Sequence, residues 1–202
     1  MGTKAILTKY LSDKYKVTLT KDYIVFGIRG AKPDGDGNDL VDTKQSPNVF
    51  DDALGFLNID ECQVYHGTVD PGRKYTLAPM NSNGCFHLHN GLWLAQRAIH
   101  IGNEAFNLYG KYPSGKLEGW RDSNRNFLND EKKIYYDATG VDIHAGSGTD
   151  IIDGWSAGCQ VLRGNWKSNE WKTFKQTLYA SKQRSYLYCL LDFSELDKYY
   201  KE

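Results

Sequence analysis

A chain of 202 residues has room for one domain with a substantial core, and no long linker divides this one. Its 25 basic and 25 acidic side chains cancel, which removes the charge excess that nucleic acid or an anionic bilayer selects for, so nucleic acid is not an expected partner. No segment approaches the roughly 18 apolar residues that cross a membrane. The N-terminus also lacks the apolar run and small-residue cleavage site of a secretory signal, so the chain is expected to be cytoplasmic until released or exported.

Ile6, Leu7, Tyr10 and Leu11 share one helical stripe, so the spacing predicts a short amphipathic helix over residues 3–14, lying as a lid on a sheet. From Val17 to Arg29 the chain turns β-branched and aromatic, which predicts one or two strands, with Gly27 and Gly30 marking bends or bulges. Asp34, Asp36 and Asn38 alternate with glycine as a calcium loop begins, but Asp39 stands where glycine is needed and Gln45 where the closing glutamate should be. An ordinary solvated loop is the stronger reading.

Glu61 to Thr68 reads as a strand ending in the turn Val69-Asp70-Pro71-Gly72, where proline sets φ and glycine supplies a positive φ. Cys85-Phe86-His87-Leu88-His89 puts a cysteine and two histidines on one face of a strand, and His66 is a conceivable fourth zinc ligand, but no partner spacing supports a metal. No cofactor is expected. Leu92 to Ile101 leans to strand, and Tyr109 to Asp130 is polar, rich in turn residues, and suited to a hairpin and a long loop. Arg121 and Arg125 within it are candidates to hold a substrate carboxylate through the planar guanidinium fork.

The stretch that carries chemistry is Val141-Asp142-Ile143-His144-Ala145-Gly146-Ser147-Gly148, followed by Gly154-Trp155-Ser156-Ala157-Gly158-Cys159-Gln160-Val161. Alternation in the first half predicts a strand with Asp142 and His144 on one face. Glycines then allow a tight return, which would bring Cys159 to His144. A thiol is only slightly ionised at neutral pH, so a nucleophilic cysteine needs an imidazole to take its proton. On this reading Cys159 attacks, His144 is the base, and Asp142 steers the ring. Small residues before the cysteine (Ser156, Ala157, Gly158) would let the Gly158 and Cys159 N–H groups face an oxyanion.

A histidine on a strand, a glycine-rich return, and Ser-x-Gly-Cys about fifteen residues on resemble the catalytic signature of the L,D-transpeptidase (YkuD-like) family, which acts on bacterial peptidoglycan. The match covers His144, Gly146, Ser156, Gly158 and Cys159, about one-tenth of the chain. It implies a cysteine that attacks a stem-peptide carbonyl, with the histidine as base. The family's histidine before Gly-Cys and its arginine two residues beyond the cysteine are here Ala157 and Val161. Gly27-Ile28-Arg29-Gly30, Thr68-Val69-Asp70-Pro71-Gly72 and Arg121-Asp122-Ser123-Asn124, in that order, are more loosely similar to a group of phage and bacterial wall-lytic proteins sharing that domain.

Beyond the cysteine, Ser168 is placed to cap a helix carrying Trp171, Phe174 and Leu178. Tyr186 to Phe193 alternates as a final strand with Leu187, Cys189, Leu191 and Phe193 on one side, before a short charged tail. The four cysteines are too few and too scattered for a disulfide scaffold. The expectation is one α+β, β-rich catalytic domain over residues 1–202, a mixed sheet or sandwich with peripheral helices and its His/Cys motif in 141–161. Trp155, Gln160 and Arg121 would contact substrate. The expected partner is peptidoglycan and the expected activity is an endolysin-like hydrolase. Transpeptidation, glycan cleavage by carboxylates such as Asp122, Asp137 or Asp142, and a wall-binding module without activity are the rivals.

Overall fold

Ile6, Leu7, Tyr10 and Leu11 are all buried on one side of helix α1 (Thr3–Tyr15), as their spacing requires. The structure, a computed structural model, describes residues 2–35, 39–110 and 114–200. Lys16, in the left-handed region at φ 58°, ends the helix: its N–H donates to the Ser12 carbonyl and the Val17 N–H to the Leu11 carbonyl. Five strands follow: β1 (Ile24–Arg29), β2 (Ala31–Pro33), β3 (Leu40–Asp42), β4 (Asp52–Leu57) and β5 (Cys62–Thr68). After the short helix α2 (Arg73–Leu77) come β6 (Cys85–Leu88), β7 (Gly91–His100), β8 (Asn103–Tyr109) and β9 (Leu117–Asp122). Then come β10 (Tyr135–Ala138), β11 (Asp142–Ala145) and β12 (Gln160–Leu162), and after them α3 (Asn169–Ala180) and β13 (Ser185–Asp192). A 3-10 turn (Phe193–Leu196) and α4 (Asp197–Tyr200) complete the order.

The β-rich α+β expectation holds, but the sandwich does not. Eight strands close into a barrel in the order β1, β13, β7, β8, β11, β12, β5, β4. β1 pairs on both edges, parallel with β13 and antiparallel with β4, so no open edge remains to divide the strands into two sheets. Beside the barrel stand a sheet of β10, β9 and β6 and a hairpin of β2 and β3.

Closure decides which side chains are core. Val25 of β1 belongs to the interior cluster, with Leu54, Trp93, Phe106 and Tyr188, while Ile24, Phe26 and Ile28 lie under α1. Gly27 is no bend but part of the regular ladder. A Cβ there would come within 2.3 Å of the Tyr188 hydroxyl, so only glycine admits that ring. Helix α3 begins as expected, with Ser168 Oγ accepting the Trp171 N–H at 3.3 Å. Phe174 packs against Phe56, Tyr65 and Phe106 of β4, β5 and β8, so the helix joins the barrel's interior cluster.

Other expectations are corrected. Gly72 has φ −87° and opens α2, so its role is close approach: a Cβ would lie 2.2 Å from the Asp153 carbonyl. Both faces of β13 are covered, the inner by the barrel interior and the outer by the helical layer. The charged tail is instead the 3-10 turn and α4, which bury Leu196 and Tyr199 against α1. The closing residues bind there because Tyr10 donates to Glu195 at 2.9 Å and Lys14 pairs with the same carboxylate. Asp36 and Asn38 of the calcium-like stretch lie outside the described residues.

Candidate active site

β11 and β12 are parallel neighbours in the barrel, with Ile143 opposite Gln160 and His144 opposite Val161. Cys159, one residue before β12, therefore sits beside the start of β11, and the Asp142 N–H donates to its Sγ at 3.4 Å. Cys159 and His144 line one cavity of about 620 Å³, together with His100, Tyr75, Trp155 and Trp166. The return between the two strands delivers the cysteine through Gly158 at φ 120°. A Cβ there would strike the Phe86 carbonyl at 2.6 Å, so glycine alone fits.

His144 is buried, and its Nδ1 lies 2.8 Å from the Ala145 carbonyl. A carbonyl only accepts, so the proton is on Nδ1 and the lone pair on Nε2, the nitrogen a general base uses. Burial lowers the ring's pKa to about 4, helped by the neighbouring His100 and opposed by the Ala145 contact. Cys159 is half-buried, and desolvation pushes its thiol up to about 12, partly offset by the Asp142 N–H. At neutral pH the site holds an uncharged thiol and an uncharged imidazole. Such a pair stores no thiolate, and the Sγ hydrogen bonds are to the Gly140 carbonyl, at 3.9 Å, and from the Asp142 N–H.

Asp142 does not steer His144. Its Oδ2 accepts from His100 Nδ1 at 2.6 Å and its Oδ1 from Asn107 Nδ2 at 2.5 Å. His100 in turn stacks on His144, ring centroids 4.2 Å apart and planes at 8°. The other side of His144 faces Trp166 at 6.0 Å and 23°. His100, Asn107 and Trp166 were invisible as site residues in the sequence. His100 ends β7, and only the register of β7 on β8 and of β8 on β11 brings it to Asp142.

The remaining expected residues divide. Trp155, exposed by 40%, lines the cavity with Cys159. Gln160 does not: it is fully buried, donates Nε2 to the Val69 carbonyl at 3.3 Å and the Gly158 carbonyl at 3.1 Å, and accepts from Tyr188 at 2.6 Å. It pins the cysteine turn to the barrel interior and cannot touch substrate. Ser156 is buried too, donating to the Cys159 carbonyl at 2.8 Å and accepting the Gly158 N–H at 3.1 Å. The Gly158 donor is thus already engaged, against the expectation that it faces an oxyanion.

Arg121 lines a second cavity of about 320 Å³ that also reaches Cys159. Its Nη2 pairs with Asp137 at 2.9 Å, so its charge is met within the chain. Arg125 is exposed, and Asp122 is fully buried, accepting the Asn126 and Phe127 N–H groups at 3.1 and 2.9 Å.

Two of the three loosely matched motifs, those of Arg29 and Asp70, meet elsewhere. Arg29, buried inside the barrel wall, donates Nε to Asp70 at 2.9 Å, Nη1 to Asn90 at 2.7 Å and Nη1 to Asp192 at 3.2 Å. Burial opposes ionisation of Asp70, but Arg29 and His87 outweigh it and hold the carboxyl well below the usual range. His87 donates Nδ1 to Asp70 at 3.0 Å, so it is committed to this network. Among the described residues no group of three or more His, Cys, Asp or Glu is arranged to hold a metal ion. No known family model, curated protein or solved structure matches the chain.

Proposed function

We propose that this chain is a cysteine enzyme of the L,D-transpeptidase type, acting on bacterial peptidoglycan and cleaving its stem peptide through an acyl-enzyme on Cys159. The observation that carries the reading is the shared cavity of Cys159 and His144, with the His144 proton held on Nδ1 by the Ala145 carbonyl. On this reading the barrel is the scaffold of such a catalytic domain.

Sulfur adds to the substrate carbonyl as its proton passes to His144 Nε2, and the C–N bond breaks as that proton is handed to the leaving amine. The Cys159 N–H is the oxyanion donor, since Ser156 already accepts from Gly158. Water then adds to the thioester, His144 takes its proton, and the C–S bond breaks as that proton passes back to sulfur, regenerating the thiol and the neutral base. Hydrolysis is favoured over transfer to an amine because Gln160, Val161 and Leu162, the residues beyond the cysteine, are all buried and offer no side chain to seat an acceptor. The enzyme acts at the wall after release or export.

The test is digestion of purified sacculi by wild type, Cys159→Ala and His144→Ala, with fragments identified by mass. New stem-peptide termini, absent with both variants, are expected. New cross-linked dimers would assign transpeptidation instead. New reducing sugar ends, or activity that survives Cys159→Ala, would overturn the reading.

A further inference from the structure

Asn48 lies outside the cleft, in the segment between β3 and β4, yet its side chain is bonded to two of the cleft's walls. Its Oδ1 accepts the Arg73 N–H at 2.8 Å and the Asp153 N–H at 2.8 Å. Arg73 opens α2, which brings Lys74 and Tyr75 to the cavity that Cys159 lines, and Asp153 leads into Gly154 and Trp155 on the same cavity. One amide oxygen, with its two lone pairs, therefore holds both walls.

Local sequence explains why the acceptor comes from so far along the chain. The first N–H groups of a helix need an acceptor outside it, commonly the side chain of the residue just before. Before α2 that residue is Gly72, and a side chain is excluded there because a Cβ would lie 2.2 Å from the Asp153 carbonyl oxygen. Asp153, in the left-handed region at φ 43°, belongs to no strand whose ladder would take its N–H. Asn48 itself stands at φ 63°, a conformation that asparagine tolerates better than most residues. Its segment is anchored independently of its side chain: the Asn48 carbonyl accepts the Ile152 N–H at 3.1 Å, the Phe50 N–H donates to the Asp150 carbonyl at 2.9 Å, and Val49 bridges Ile151. Phe50 then clusters with Ile152 and Val161, and Cys159 packs against that cluster.

We infer that Asn48 is a positioning residue for this cleft: from outside, it fixes the spacing of α2 and the segment 153–155, and so the width of the opening through which a molecule reaches Cys159. Calling that opening the mouth of an active site rests on the proposed function. The spacing itself does not.

The test reads the opening without using the reaction. Asn48→Gly keeps the backbone conformation and removes the oxygen, while Asn48→Asp keeps an acceptor in place. The bond from the Gly72 N–H to the Ser156 carbonyl, at 2.9 Å, is backbone to backbone and stays in both. Wild type and the two variants are alkylated with iodoacetamide and with the larger iodoacetanilide, and the rate at each cysteine is read by peptide mass. Loss of two hydrogen bonds should raise the Cys159 rate in Asn48→Gly at least about 5-fold with the larger reagent, and less with the smaller, while Asn48→Asp keeps the wild-type rates. Cys62, half-buried on a different cavity beside α1, reports general loosening, and its rates should not change. Unchanged Cys159 rates in Asn48→Gly, a parallel rise at Cys62, or no rescue in Asn48→Asp would overturn the inference. Digestion of sacculi beside it answers the other question. Wider access to Cys159 in Asn48→Gly, with no stem-peptide fragments even from wild type, would uphold this role of Asn48 while refuting the proposed reaction. Cleavage by wild type with unchanged access in Asn48→Gly would do the reverse.

Discussion

His100 and His144 are stacked imidazoles, nearly parallel, and Asp142 holds the outer ring and not the inner one. The carboxylate therefore acts on the candidate base through a second histidine. Asn107 fixes the other carboxylate oxygen.

His100→Ala removes that ring and opens His144 to water. kcat on a stem-peptide substrate should fall about 10- to 100-fold with little change in KM, the scale of a misplaced reacting group. Because the pKa of His144 is lowered first by burial, solvation should raise it, and the acid limb of the rate profile should move to higher pH. A purely structural His100 would lower activity without moving that limb.

His144 also leaves a mark on stability. Its folded pKa of about 4 lies below the ordinary 6.5, so between those values the unfolded chain binds the extra proton. Stability rises with pH across that window, and about 3 kcal/mol is lost as pH falls from 6.5 to 4. Chemical denaturation of wild type against His144→Gln should show a steeper slope in the wild type across this window, the difference amounting to about 3 kcal/mol. Equal slopes would mean the ring is hydrated in the folded state.

Gln160 is expected to matter for folding and not for specificity. Gln160→Ala strands the Tyr188 hydroxyl and two carbonyls in the barrel interior, costing about 1 to 3 kcal/mol. The midpoint of denaturation should fall, while the relative rates on different wall peptides stay fixed.

Arg29→Met leaves the half-buried Asp70 beside a histidine with its main countercharge gone. The expected loss is about 3 to 5 kcal/mol at neutral pH. Asp70 is held below its ordinary pKa, so its contribution is present above that value and fades as pH falls. The gap between variant and wild type should shrink in acid, read from denaturation curves at pH 7 and pH 3.

Local periodicity and local capping were legible directly. The stripe Ile6, Leu7, Tyr10 and Leu11, the Ser168 cap and the alternation through β13 are properties of neighbours in the chain, and short-range sterics and hydrogen bonds decide them. That His144 and Cys159 line one cavity was legible for a related reason: a short return between a strand and a glycine-flanked cysteine admits few geometries.

Barrel closure was not legible, because it depends on β1 meeting β13 near the two ends of the chain, Ile24 lying opposite Leu187, and alternation in a strand does not say which strand lies beside it. The same holds for the partners of Asp142. Its sequence neighbour two residues on is His144, yet its hydrogen bonds go to His100 and Asn107, which the barrel register brings across from two other strands. Sequence determined which faces are apolar and which segments form strand or helix, since both are written in residue type and spacing. Tertiary structure alone decided which polar groups meet, because a buried carboxylate bonds whichever donor the closed sheet delivers to it.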